Sequence, residues 1–149
     1  MKTKYADLLI LAALVWAGMI AGISFLEAPV KFTAPSLTLP VGLDVGRHVF
    51  SALNKVEIVF ATLLTVLMIK AQFSWKINTL IILTIILLIL ECFWLLPILD
   101  ERAILIIAGK EPQGSSPHVW YIIFDGLKLC FLVVSGYAGL KEIRAGVKD

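Results

Sequence analysis

Charged residues are scarce in this sequence, and their scarcity argues against an ordinary soluble domain. Asp, Glu, Lys and Arg make up 16% of the 149 residues, against about a quarter in typical globular proteins. Hydrophobic residues account for 60% and lie in long runs. The net charge is only +2, and the basic residues cluster at the ends of those runs, so no nucleic-acid-binding face is predicted. This length and composition predict one integral membrane domain, residues 1–149.

Cysteine is scarce as well, with two in the chain. Cys92 and Cys130 both lie within apolar runs, where cysteine behaves as a small apolar side chain. Two cysteines provide neither a disulfide framework nor a zinc site. We therefore expect both thiols to be buried among apolar neighbours.

Four apolar runs are long enough to cross a bilayer, which takes roughly 20 residues. Residues 80–90 have no polar face, and a helix of a soluble bundle needs one. The sequence therefore predicts an all-α fold, a four-helix antiparallel transmembrane bundle. The predicted spans cover residues of about 6–27, 48–70, 77–99 and 118–140.

The first long loop, residues 27–39, contains Pro29 and Pro35. Proline fixes its own backbone angle and disfavours helix in the residue before it, so this loop is expected to be extended. Pro40 suits the first turn of a helix. A helix from Pro40 to Lys70 would be about 46 Å long. It is expected to tilt or to project from the membrane, because that length exceeds the hydrocarbon thickness.

The second long loop contains an apolar stretch, Ala103–Ala108, that is too short to cross the membrane. This stretch predicts a short interfacial helix closed by Gly109. Ser116 and Pro117 favour a helix start at His118.

The distribution of Lys and Arg predicts the orientation, because cytoplasmic loops carry an excess of these residues. Seven lie on the side of the chain termini and the short turn, and four lie on the side of the two long loops. The first group is Lys2, Lys4, Lys70, Lys76, Lys141, Arg144 and Lys148, and the second is Lys31, Arg47, Arg102 and Lys110. The bias predicts a multi-pass membrane protein with both termini cytoplasmic.

The fourth span carries an unusual polar stripe. At 100° per residue, His118, Tyr121, Asp125 and Lys128 fall within an arc of about 80°. An aspartate or a lysine near the bilayer centre costs about 2.5–3.5 kcal/mol unless it is paired or hydrated. Asp125 and Lys128 are three residues apart and could pair. The stripe is therefore expected to face the interior of the bundle.

The other spans offer polar groups at the same depth. Glu27 ends the first span, Asn54 and Glu57 lie in the second with His48 nearer its outer end, and Glu91 lies in the third. Under the predicted orientation all of them are in the outer half of the membrane. These groups predict an outward-opening polar pocket. The predicted ligand-binding residues are Glu27, His48, Asn54, Glu57, Glu91, His118, Tyr121 and Asp125.

Several kinds of chemistry fit such a pocket. Carboxylates and histidines from facing helices commonly form a metal site, here Glu57, Glu91, His118 and Asp125. His48 and His118 could instead hold a haem, or a small amphipathic molecule could bind. An enzyme with this pocket would be expected to be an oxidoreductase or oxygenase. A transporter subunit would use the acids for proton or ion passage.

A non-catalytic interpretation stands beside these. The buried charges could pair with one another only to fix helix register, in a structural or assembly subunit. Gly18 and Gly22 match the small-xxx-small pattern of packed membrane helices. They predict a docking face for a homo-oligomer or a membrane partner.

Four stretches carry a resemblance to known proteins. "GISFLEAPVKF" closes the first span, "VGRHVFSALNKVE" opens the second, "LDERAILIIAG" follows the third and "PHVWYIIFDGLK" enters the fourth. In this layout the chain resembles small uncharacterised four-span bacterial inner-membrane proteins, including anthrone-oxygenase-like members. The resemblance implies a compact antiparallel bundle with a functional outer pocket.

Overall fold

The computed structural model describes residues 2–114 and 116–146, and all regular structure in that part of the chain is helical. The helices are α1 (Lys2–Ile20), α2 (Ala28–Lys31), α3 (Leu39–Ala71), α4 (Trp75–Leu90), α5 (Leu96–Ile107) and α6 (His118–Gly146). A first π segment (Ala21–Glu27) joins α1 to α2, and a second π segment (Glu91–Leu95) joins α4 to α5.

Four continuous helices are long and apolar enough to cross a membrane. They are span 1 (Lys4–Lys31), span 2 (Leu39–Ala71), span 3 (Trp75–Ile107) and span 4 (His118–Ala145). The predicted all-α fold with four helices of membrane-crossing length is thereby confirmed. Spans 2 and 3 have 33 residues each, so at 1.5 Å per residue they are about 50 Å long.

Both π segments end two residues before a proline. The N–H groups of Ala28 and Leu96 each bond to the carbonyl five residues back, and Pro29 and Pro97 follow them. A proline inside a helix lacks a donor and clashes with the carbonyl four residues earlier. The widened π turn removes that conflict, so spans 1 and 3 continue past their prolines.

The first long loop is shorter than the sequence predicts. The expectation that residues 27–39 are extended is wrong for residues 27–31, which are helical because the first π segment carries span 1 past Pro29. It is also wrong for Leu39, where α3 begins. Turns begin at Phe32, and Thr38 has an extended backbone just before α3.

Two other predicted helix boundaries are confirmed. The helix expected from Pro40 to Lys70 is α3, which has one more residue at each end. α6 begins at His118 as predicted, and the His118 N–H donates to Ser116 Oγ at 3.3 Å. This side-chain acceptor satisfies one of the free donors at a helix start.

The predicted separate interfacial helix at Ala103–Ala108 is wrong. Most of that stretch belongs to α5, which continues from α4 through the second π segment. Gly109 does close the helix as predicted, with a φ of 73°. Its N–H bonds to Ile106 and the next N–H, of Lys110, bonds to the Leu105 carbonyl. These two bonds form the Schellman arrangement that glycine favours.

At one end of the bundle, called the short-turn end, residues 72–74 connect spans 2 and 3. The Ser74 N–H donates to Glu142 Oε1 at 3.0 Å, and the Lys70 ammonium lies 5.2 Å from the centroid of the Tyr5 ring. These contacts bring the start of span 1 and the end of span 4 to the short turn.

At the other end, called the long-loop end, different parts of the spans meet. Arg47 Nε lies 2.6 Å from Asp100 Oδ1, and the rings of Phe50 and Tyr121 pack edge to face at 5.3 Å. Arg102 donates to two backbone carbonyls of the second loop. The ion pair and the ring contact join span 2 to spans 3 and 4 around the site described next.

Two smaller predictions can be placed on this fold. Cys92 is partly buried, but Cys130 is exposed, so the expectation that both thiols are buried is wrong for Cys130. A side chain added at Gly18 or Gly22 would meet nothing within 4 Å. The docking face assigned to these glycines is therefore not covered by the described part of the chain, and its partner stays a prediction.

Candidate functional site

A lysine ammonium sits among three buried carboxylates near the middle of the bundle. Lys128 Nζ lies 2.7 Å from Glu57 Oε1 and 2.8 Å from Asp125 Oδ1, and it also donates to Glu91 Oε2. All four side chains are fully buried. Spans 2, 3 and 4 are thus joined by one ammonium group.

Span 1 joins the same group through Trp16. Its indole Nε1 donates to Glu57 Oε1 at 3.0 Å, across 41 positions of the chain. Trp16 is fully buried and stacks on Phe60, with ring centroids 6.1 Å apart. Trp16, Glu57, Glu91, Asp125 and Lys128 together are called the charge cluster, and every span contributes to it.

The charge cluster contains more negative than positive groups. Three carboxylates and one ammonium give a formal charge of −2 when all are ionised. Glu57 Oε2, Glu91 Oε1 and Asp125 Oδ2 are buried without a hydrogen-bond partner among the described residues. Asp125 Oδ1 is within ion-pair distance of Lys128 but makes no well-aligned hydrogen bond. Unbalanced buried charge is costly, so the cluster needs a further cation or bound protons.

A cavity of about 830 Å³ extends from the charge cluster toward the long-loop end. Its wall includes Asp125, Asn54 and Tyr121 on the inner side. His48 and His118 line it nearer the loops, and both are exposed. All four spans contribute to the wall, and every contribution comes from their long-loop halves.

Much of the cavity wall is aromatic. Phe25, Phe32, Phe50 and Tyr121 line it, and the Lys31 ammonium lies 5.6 Å from the ring centroids of Phe32 and Phe50. Such a wall offers apolar area together with faces that attract cations.

The two π segments place polar groups in this wall. The first contributes Ser24, whose hydroxyl oxygen is buried and has no hydrogen-bond partner among the described residues. The second contributes Cys92, whose Sγ accepts from Asn54 Nδ2 at 3.0 Å. Short π turns inside α-helices often occur at functional sites, and both of these turns border the same cavity.

The predicted site residues fall into three groups. Glu57, Glu91 and Asp125 meet in the charge cluster. Glu27 is in neither the cluster nor the cavity wall, because its carboxylate pairs with Lys31 at 3.4 Å. The remaining predicted residues line the cavity, and these are His48, Asn54, His118 and Tyr121, together with Asp125.

A metal ion would compete with Lys128 for the charge cluster. Glu57, Glu91 and Asp125 offer ligand oxygens within 4.8 Å of one another, a set suited to a hard cation. The ammonium stands between these oxygens, so a metal could be held only after Lys128 moved aside. His118, the fourth predicted metal ligand, is exposed in the cavity wall and is not part of this group.

The haem site predicted between His48 and His118 stays a prediction, and both side chains are exposed. His48 has a side chain that is 78% exposed, and its Nδ1 lies 2.8 Å from the Asp44 carbonyl oxygen. That nitrogen is therefore engaged by the backbone of its own helix.

Sequence reasoning missed several parts of the site, among them Trp16, Ser24 and the three phenylalanines of the cavity wall. Trp16 carries no signal of its role, since a tryptophan in an apolar run is ordinary. Ser24 could have been noticed, because a π turn is one way for a helix to pass Pro29 and Ser24 lies within it.

No protein family matches the chain, and neither a curated protein nor a solved structure similar to it was found. The site is therefore interpreted from its own geometry.

Proposed function

We propose that this chain is a multi-pass membrane protein that binds a small amphipathic molecule in the cavity at its long-loop end. The cavity of about 830 Å³ is the observation that carries the proposal. Small-molecule sites usually measure about 300–1,000 Å³, with apolar walls and a few convergent polar groups. Here aromatic rings form the wall and the charge cluster lies at the inner end.

In this proposal the spans form an antiparallel bundle in the cell inner membrane, with both termini cytoplasmic and the cavity open to the outside. The contacts at the short-turn and long-loop ends support the alternation of directions. The Lys and Arg distribution supports the orientation, although one of the counted residues, Lys148, lies outside the described residues. This arrangement agrees with the layout of the four-span bacterial proteins that the sequence resembles.

An organic ligand fits the site better than a metal or a haem does. The Lys128 ammonium occupies the position a metal would need between the carboxylates. His48 is largely exposed, which disfavours haem ligation. The proposal is therefore one of binding, without a redox step.

A second role, for the charge cluster itself, is to lock the helices in register. One network of hydrogen bonds joins Trp16, Glu57, Glu91 and Lys128 from all four spans. Removing one partner of such a network leaves a buried charge unpaired, which is strongly destabilising. This structural role is compatible with ligand binding above the cluster.

The test is native mass spectrometry of the detergent-purified protein, together with elemental analysis and a visible spectrum. Ser51→Trp places a large ring at an exposed position of the cavity wall. Ala52→Trp is the matched control, because Ala52 is exposed on the same helix and does not line the cavity. We expect a small-molecule adduct in the wild type and in Ala52→Trp that is lost in Ser51→Trp.

Two outcomes would contradict the proposal. An adduct that survives Ser51→Trp would bind elsewhere. Stoichiometric metal or a haem absorption band would replace the organic ligand with a cofactor site.

A further inference from the structure

We infer that the cavity is selective for amphipathic cations, molecules with an apolar body and one positively charged nitrogen that pairs with Asp125. The inference deepens the proposed function and rests on it. It concerns the charge of the ligand, which the size of the cavity leaves open.

Asp125 connects the cavity to the charge cluster. Among the described residues, it is the one member of the cluster that also lines the cavity. Its side chain is fully buried, and its Oδ2 atom has no hydrogen-bond partner. A ligand in the cavity can therefore reach an ionisable oxygen that the protein leaves free.

The charge balance favours a cation over an anion. With all groups ionised, the charge cluster has a formal charge of −2, and one bound cation would reduce this to −1. An anion would increase the excess in a region of low dielectric, where like charges repel strongly.

The positive groups of the cavity wall are already paired. Lys31 lies 3.4 Å from Glu27, and Arg47 lies 2.6 Å from Asp100 and 3.6 Å from Asp44. These two are the Lys and Arg side chains of the described cavity wall. The wall therefore presents aromatic faces and an available carboxylate oxygen, but no unpaired ammonium or guanidinium group for an anion.

Two further groups suit a charged nitrogen. The unpartnered Ser24 hydroxyl can accept a hydrogen bond from an N–H group of the ligand. The aromatic wall can bind a cation through its π faces. The polar and aromatic parts of one ligand would thus both be satisfied in the same cavity.

The experiment uses isothermal titration calorimetry on the full-length protein in lipid nanodiscs, with empty nanodiscs subtracted. The probe is trimethyl(1-naphthylmethyl)ammonium, which carries its charge at every pH. Its matched anion is 1-naphthylmethanesulfonate, which has the same ring and the opposite charge. We expect saturable one-to-one binding of the cation and no saturable binding of the sulfonate.

Asp125→Asn tests the assigned partner. The amide keeps the shape of the side chain and reduces the charge excess of the cluster, so the bundle should remain folded. We expect cation affinity to fall by roughly thirtyfold or more, as for loss of one partner of a buried charge pair. Asp7→Asn is the control, because Asp7 is exposed and does not line the cavity, and it should leave the affinity unchanged.

The possible failures are distinguishable. Equal binding of cation and sulfonate, or unchanged cation affinity in Asp125→Asn, would overturn the charge assignment. If the charge assignment failed in this way but the native adduct were still lost in Ser51→Trp, the proposed binding function would stand without the charge assignment. If neither probe bound and no adduct depended on Ser51, both proposals would fail. A folded Asp125→Asn variant, checked by circular dichroism, is required for these comparisons.

Discussion

Between the charge cluster and the short-turn end, Leu9, Leu64, Ile81 and Leu132 are fully buried in one apolar core. Between the cluster and the long-loop end, the same four spans surround a cavity of about 830 Å³. All four helices are long and apolar enough to cross a membrane, so length and apolarity do not explain the difference between the two halves. The halves differ in packing: one is close-packed, and the other leaves room for a ligand.

The close packing has a visible cause in span 4. A side chain at Gly139 would lie 3.0 Å from Ile10 Cγ1, and one at Gly136 would lie 2.8 Å from Leu14 Cδ2. Glycine lets membrane helices approach closely, so spans 1 and 4 are in tight contact there. Gly126, on the cavity side, leaves 3.8 Å to Phe25.

In the cavity half, spans 1 and 3 have irregular helical turns. Both contain a π segment followed by a proline, Pro29 or Pro97, and both π segments border the cavity. The comparison indicates that close approach of spans 1 and 4 builds the packed half and that interrupted helices border the open half. The charge cluster lies at the boundary between them.

The largest change in stability is expected from Lys128→Met at this boundary. It removes the ammonium that pairs with three buried carboxylates, and an uncompensated buried charge costs about 3–5 kcal/mol. Unfolding in mixed detergent micelles, followed by circular dichroism, measures the loss. Lys55→Met is the control, because Lys55 is exposed on span 2.

A double variant sharpens this result. Lys128→Met combined with Glu91→Gln should recover part of the loss, because the two residues share one network. Equal stability of Lys128→Met and Lys55→Met would contradict the structural role of the cluster.

Two alanine substitutions, one in each half, compare the two halves directly, and their expected effects on stability are smaller. Leu132→Ala removes a fully buried side chain from the packed half. We expect the free energy of unfolding to fall by about 2–3 kcal/mol, near the low end for such substitutions. The value is low because leucine also has apolar surroundings in the unfolded state within the membrane. Ile122→Ala, on the same helix, changes a cavity-lining residue that is 44% exposed.

For Ile122→Ala we expect a cost within about 0.5 kcal/mol. The same unfolding assay measures both variants. Similar losses at the two positions would contradict the distinction between a packed and an open half.

Among the changes at buried positions, the smallest loss is expected from Trp16→Phe. Phenylalanine keeps an aromatic ring to stack on Phe60 but removes the hydrogen bond to Glu57 Oε1, which should cost about 1–2 kcal/mol. Trp120→Phe changes a ring that is 53% exposed and serves as the control. Equal unfolding free energies for the two variants would show that the indole N–H contributes nothing to the cluster.

Much of the fold was predictable because its signals are local. The four long helices follow from apolar length, and the start at His118 and the closure at Gly109 follow from capping chemistry. The separate interfacial helix was wrong because a turn that carries span 3 past Pro97 depends on hydrogen bonds across five residues, which composition does not reveal. The extended loop predicted at Ala28–Lys31 was wrong for the same reason, because a π turn carries span 1 past Pro29.

The sequence by itself determined which residues share a face within one helix. Helical periodicity places Tyr121, Asp125 and Lys128 on one side of span 4, and the energetic cost of charge in a bilayer requires that side to face inward. Only the tertiary structure decided how the four helices are rotated against one another. That rotation brings Trp16 from span 1 to the charge cluster while Glu27 pairs with Lys31, and it places Lys128 among three acids. Packing between helices, which no single helix encodes, sets these contacts.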